Sequence, residues 1–275
     1  MRFETFFRRT IKTVIPLAIS GFVVVALISG LPNSAKAANA FFYTALGDSL
    51  AFGAYAPIGQ GYVPRYDKFA ETDTGASLYL INLGIPGWKS LDLVQALRTN
   101  GIFQISVFYS NVVTWDIGGN DLSAARNKYK SGTCGGSDNQ DCMKAGVAAL
   151  KTNWNGIIGQ IRLLRRGRPT IIRTMNIYNP FVNIDKVSDS WPGDGVNDFE
   201  ALKPYLEDVN AYMAATSAAN GILTADVYHA FNGANGDEDP SSKGYLAFDG
   251  FHPNALGHFV IASLFRSLGY SATVP

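Results

Sequence analysis

Histidine and cysteine are the scarcest reactive residues in this 275-residue chain, with three of the first and two of the second. Cys134 and Cys142 have no histidine near them, which leaves too few ligands for a zinc site. No metal and no organic cofactor are expected. The acid and base candidates at neutral pH narrow to His229, His252 and His258, because histidine alone among unperturbed side chains changes charge there. Excess charge of either sign is also missing, with 23 basic residues facing 22 acidic ones. Without a basic stripe, the electrostatic footprint of a nucleic-acid-binding protein is absent. No Pro/Ser-rich linker or low-complexity tract divides the chain beyond its first forty residues, so that remainder should bury one core.

One long apolar run does exist, at the start. Arg2, Arg8, Arg9 and Lys12 precede an almost uncharged stretch over residues 14–31, and Ala35-Lys36-Ala37 follows it. A basic start, an apolar centre and small residues at the end form the pattern of a secretory signal peptide, with cleavage expected after Ala37. Pro16, Ser20, Gly21, Ser29 and Gly30 dilute the run and argue against an uncleaved membrane anchor. The expectation is a secreted or extracytoplasmic protein whose residues 38–275 form a single domain with no stable membrane span. Removing residues 1–37 leaves 18 basic against 21 acidic residues, so the partner is expected to be a small molecule or an uncharged polymer. In an oxidising compartment Cys134 and Cys142 are expected to pair as a local disulfide clasp.

Beyond the leader, β-prone apolar runs alternate with stretches of helical period, the pattern of a parallel sheet covered on both faces. The strands read are residues 41–46, 78–83, 111–117, 170–175 and 222–227. The helices read are 90–99, 144–164, 199–219 and 254–268, with Pro253 placed at the start of the last. The fold class is α/β, a small doubly wound and mainly parallel five-stranded sheet sandwiched by helices in three layers. Ligands in such sheets gather at the carboxyl ends of the strands, where Gly47-Asp48-Ser49, Gly84-Ile85-Pro86-Gly87, Gly118-Gly119-Asn120-Asp121 and Asp249-Gly250-Phe251-His252 all fall.

A serine hydroxyl is a weak nucleophile unless a base lies within hydrogen-bond reach and a third group orients that base. His252 is read as the histidine with a carboxylate at short fixed spacing, since Asp249 lies three residues earlier across a glycine-containing turn. An oxyanion also needs donors. Gly87, free of a side chain, and the amide of Asn120 are the candidates beside the N–H of Ser49. Asp48 is read as a turn-forming residue and Asp121 as a local partner or helix cap. His258 is read as an ordinary, partly exposed helix residue. His229 is read as lacking a carboxylate partner.

Gly47-Asp48-Ser49-Leu50, Gly87, Gly119-Asn120-Asp121 and Asp249-x-x-His252 stand in the order of the four blocks of the SGNH, or GDSL, hydrolases, and the chain resembles that family over nearly its whole mature length. The resemblance implies Ser49 as nucleophile and oxyanion donor, Gly87 and Asn120 as further donors, and His252 as base with Asp249 behind it. Gly84 competes with Gly87 for the second block, and Gly87 has the family-like offset. Trp88 departs from the Asp or Asn that often follows that glycine. The α/β-hydrolase elbow G-x-S-x-G is excluded by Ala51 in its last position. The expected activity is hydrolysis of a carboxylic ester in a small-molecule, acylated-sugar or lipid substrate, as a lipase or esterase acting through an acyl-enzyme. The alternatives are a carbohydrate O-acetylesterase, an acyltransferase or a non-catalytic binding protein on the same fold. Trp88, Tyr178 and Phe181 are the residues expected to contact substrate, and residues 177–197, also carrying Trp191, form a long segment without clear period that could act as a lid.

Overall fold

The computed structural model describes residues 40–274, and the expected signal segment over residues 1–37 lies outside them. Five strands, β1 (Ala40–Gly47), β2 (Ser77–Gly84), β3 (Val112–Trp115), β4 (Ile171–Met175) and β5 (Leu223–Ala225), form one sheet in the order β2-β1-β3-β4-β5. Every neighbouring pair is parallel, so the sheet expected to be mainly parallel is wholly so. Parallel strands need crossovers, and helices supply them: α1 (Ser49–Phe52), α2 (Tyr62–Thr74), α3 (Ser90–Thr99), α4 (Gly101–Tyr109), α5 (Gly119–Lys130), α6 (Asp141–Arg165), α7 (Val182–Lys186), α8 (Asp198–Ala219), α9 (Val227–Asn232) and α10 (Ala255–Ser267).

Alternation along each strand distributes side chains to two cores. From β1 and β3, Leu46, Val113 and Trp115 join Leu93, Leu97, Phe103, Leu150, Trp154, Ile157 and Met213 of α3, α4, α6 and α8. Tyr43, Ala45 and Val112 point the other way, onto Tyr62, Val63 and Tyr66 of α2 and Ile261, Ala262 and Phe265 of α10. A third cluster joins Ala125 and Tyr129 of α5, Cys134, Met143 of α6, and Ala201 and Leu202 of α8. The Cys134–Cys142 disulfide closes this region, with its Cα atoms 4.8 Å apart.

Two expectations shift. Pro253 does not begin the last helix: Asn254 caps α10 by accepting from the N–H groups of Leu256 and Gly257, and Pro253 lies before the cap. Helices α2, α4 and α5, and the short α1, α7 and α9, are not among those expected. The first carries buried Tyr62, Val63, Tyr66 and Ala70 at helical spacing, a signal that was available, whereas α5 starts on two glycines and is polar along most of its length.

The register brings Gly47 opposite Gly84, and Leu46 opposite Trp115. Strands β1, β2 and β3 therefore end at one level. Because β2 and β3 lie on either side of β1, the chain reverses direction across the sheet there, and a crevice opens at the strand ends.

Candidate active site

The turn after β1 is shaped by a residue it must avoid. At Gly47 (φ +142°) a Cβ would lie 2.5 Å from the carbonyl and carboxylate oxygens of Asp116, so only glycine fits this approach. Asp48 then caps α1, its Oδ1 accepting from Leu50 N–H at 3.0 Å, as a turn aspartate does. Its own N–H donates to Asp116 Oδ2 at 3.4 Å, while Tyr62 OH donates to Asp116 Oδ1 at 2.6 Å. Both carboxyls are buried. Burial, then the neighbouring Asp116, pushes Asp48 well above the usual carboxylate range, and burial raises Asp116 as well. Ser49, next to Asp48 in the chain, is buried as well.

Asp249 builds its own loop. Its Oδ1 accepts from the N–H groups of Phe251 and His252, and Oδ2 lies 2.5 Å from His252 Nδ1. Burial opposes ionisation of this carboxyl, but the bonds from His252 and from the two backbone N–H groups outweigh it and hold it below the usual range. A carboxylate on Nδ1 selects the tautomer protonated there and leaves Nε2 as an acceptor. Nε2 lies 2.9 Å from Ser49 Oγ, although the two residues are 203 positions apart. The loop is pinned on several sides: Ala247 N–H donates to His252 O, Asn254 Nδ2 to Gly244 O and Leu246 O, and Tyr178 OH to Phe251 O.

The third strand end clamps the second. Asn120 Nδ2 lies 2.9 Å from Trp88 O and 3.4 Å from Asp48 Oδ2. Asp121, whose carboxyl burial raises, accepts from both the N–H and the hydroxyl of Ser90 at 2.9 and 2.6 Å. The adjacent pair thus fixes the turn from Gly87 (φ +83°) to the start of α3. Of the two readings, local partner or helix cap, the bond from Ser90 N–H makes Asp121 a cap on the start of α3, across 31 residues.

Ser49, Asn120 and Asp48 also line a cavity of about 90 Å3. Most of its wall is apolar, with Ile117 and Leu122 beyond β3, Met143 on α6, Ile177, Tyr178 and Phe181 after β4, and Leu202 and Leu206 on α8, while Arg126, Asp185 and Lys203 are charged residues of the same lining. Phe181 is held by Arg126, whose guanidinium lies 3.9 Å from the ring centroid and pairs with Asp185. Tyr178 and Phe181 are therefore placed where substrate could meet them. Trp88 is not: its ring stacks on Phe103 at 5.3 Å and packs against the larger core. Residues 177–197 contain α7, and Trp191 packs beside the disulfide cluster.

A family model for the GDSL-like lipase/acylhydrolase family matches residues 45–259. The chain belongs to this family. Membership places it among hydrolases whose substrates are small-molecule esters. Among solved structures it is similar to the lipase Lip_vut3 from a goat rumen metagenome, at 24% identity and a TM-score of 0.68, covering 84% of this chain and 98% of that one. It is also similar to the acetylxylan esterase Axe2 of Geobacillus stearothermophilus, at 19% identity and 0.54, covering 85% and 96%. At these identities the likeness is one of fold. No curated protein matches.

Two histidines of this GDSL hydrolase differ from their reading in the sequence. His229 does have a carboxylate: Asp226 lies three residues earlier and its Oδ2 is 2.7 Å from Nδ1. That pair lines a second depression with Asn176, Glu207 and Tyr228, which shares Asn176 with the cavity of Ser49 but does not include Ser49. His258 is fully buried, not partly exposed. Its Nδ1 accepts from Tyr62 N–H at 3.2 Å and its Nε2–H donates to Ala54 O at 3.1 Å.

Burial pulls His258 down from 6.5 to about 4, against the bond to Ala54 O and with help from the charges of Arg65 and His252. An unfolded chain takes up this proton near pH 6.5, the folded one only near 4, so between these values the unfolded state binds more protons. Stability is full above about pH 6.5 and declines toward pH 4, by up to roughly 3 kcal/mol from this group. Urea unfolding at pH 7 and pH 4.5 should show a smaller drop in His258→Gln than in wild type; equal drops would remove His258 as the source.

Proposed function

We propose that this GDSL hydrolase is an exported serine esterase that cleaves carboxylic esters through an acyl-enzyme on Ser49. The observation that carries the reading is the chain of contacts from Asp249 Oδ2 through His252 to Ser49 Oγ, at 2.5 and 2.9 Å. Such an arrangement lets His252 Nε2 take the hydroxyl proton as Oγ bonds to the ester carbonyl carbon, while Asp249 stabilises the imidazolium. The carbonyl π electrons move onto oxygen, and Ser49 N–H, Gly87 N–H and the Asn120 amide are the proposed donors to that oxyanion. Collapse expels the alcohol, which receives the proton from His252. Water then repeats the sequence in reverse and releases the acid. These steps use only groups of the chain itself.

The apolar part of the cavity wall, which includes Tyr178 and Phe181, supports an acyl group longer than acetyl. Export is proposed from residues 1–37, whose basic start, apolar run and small-residue end suit a cleaved leader; among the described residues no helix is long and apolar enough to cross a membrane. The experiment is turnover of p-nitrophenyl esters from acetate to decanoate together with labelling by a fluorophosphonate. Expected are stoichiometric labelling and kcat/KM rising beyond acetate to a medium chain. Activity confined to acetyl esters would move the reading to an O-acetylesterase, and an inert wild type would end the serine-esterase reading.

A further inference from the structure

Tyr55 is one of only a few non-glycine residues with positive φ among the described residues, at +63°. A bulky side chain there costs folding free energy, and such strain persists where surrounding structure enforces it. The enforcing contacts are visible on both sides. Before Tyr55, Ala54 N–H donates to Ser49 O at 2.9 Å and Ala54 O accepts from His258 Nε2–H. At the far end of the same loop, Tyr62 N–H donates to His258 Nδ1. One buried imidazole, kept neutral by its surroundings, therefore ties both ends of the loop over residues 54–62 to α10. The strained residue delivers its ring to the general base: Tyr55 stacks on His252 with centroids 4.9 Å apart and planes 20° from parallel. Phe251 meets the same imidazole edge-on at 4.8 Å. Tyr55 itself remains 45% exposed, so core packing does not account for its backbone.

We infer that Tyr55 is a positioning residue that holds the His252 ring in line with Ser49, and that His258 acts at one remove by fixing the loop that carries Tyr55. The inference rests on the serine-esterase reading, because the ring it positions is that reading's base. Stacking restrains imidazole tilt without competing for either nitrogen, which leaves Nδ1 to Asp249 and Nε2 to Ser49. The Tyr55 hydroxyl plays no part in this role.

Tyr55→Gly separates positioning from stability, since glycine relieves the positive φ while removing the ring. Expected are a thermal midpoint within about 3 °C of wild type, kcat on p-nitrophenyl butyrate lower by about ten- to a hundredfold and KM little changed. Tyr55→Phe, which keeps the ring, should restore kcat to within about threefold of wild type. His258→Gln, with one donor and one acceptor, should retain more activity than His258→Ala. Full kcat in Tyr55→Gly, a change in KM alone, or a Tyr55→Phe as slow as Tyr55→Gly would overturn the inference while leaving the esterase reading intact. A wild type that neither turns over esters nor labels with fluorophosphonate would overturn both.

Discussion

Ser49→Ala and His252→Ala are each expected to lower kcat/KM on p-nitrophenyl butyrate by at least about a thousandfold, equivalent to about 4 kcal/mol of transition-state stabilisation. The double variant should fall little further. Members of one catalytic unit act jointly: without Oγ there is no proton for Nε2 to take, and without Nε2 the hydroxyl keeps its proton. The 2.9 Å contact between these atoms is the structural basis for expecting this non-additivity. Ser49 also has structural neighbours, since its carbonyl accepts from Gly53 and Ala54 N–H groups, but alanine keeps that backbone. Thermal midpoints of the variants should therefore stay near wild type. Multiplicative losses in the double variant would show that the two residues act separately and would sink the proposed mechanism.

Asp249→Asn is the second large effect, with an expected fall in kcat of about ten-thousandfold. The substitution should preserve the loop, because an asparagine Oδ1 can still accept from the Phe251 and His252 N–H groups that Asp249 Oδ1 now receives. What changes is the tautomer. An amide N–H facing Nδ1 donates to it, so the ring proton moves to Nε2, which then cannot accept from Ser49. Ground-state binding has no reason to change, and KM should stay within a few-fold of wild type. Burst kinetics with p-nitrophenyl acetate would locate the loss in acylation. A variant retaining a tenth or more of wild-type kcat would mean that Asp249 serves only to shape its loop.

Much of the architecture could be read along the chain because strand and helix periods are local properties. The five strands expected from the sequence agree with those found to within two residues at every end, and α3 spans Ser90–Thr99 as expected. The reading weakened where local pattern and tertiary role part. Helix α5 meets the cores through little more than Leu122, Ala125 and Tyr129, while Arg126 and Lys130 pair with Asp185 and Asp198, so no broad apolar stripe announces it. Trp88 reads as a pocket residue from its place after Gly87, yet its indole stacks on Phe103. His258 looked exposed because one histidine in an amphipathic helix carries no mark of what it will meet; its partners, Ala54 and Tyr62, lie about two hundred residues away.

Sequence alone determined the parallel sheet, the short blocks at its strand ends and the pairing of Cys134 with Cys142, since each depends on residues close along the chain or on a repeated period. Spacing by itself does not separate His252 from His229, which the sequence reading sets aside as lacking a carboxylate. Asp226-x-x-His229 and Asp249-x-x-His252 both place a carboxylate on Nδ1. Only the packing of α10 and its preceding loop against the turn after β1 brings one imidazole to Ser49 and leaves the other in a second depression that Ser49 does not line. Contact between residues 203 positions apart is set by the order of strands in the sheet, which no local pattern encodes.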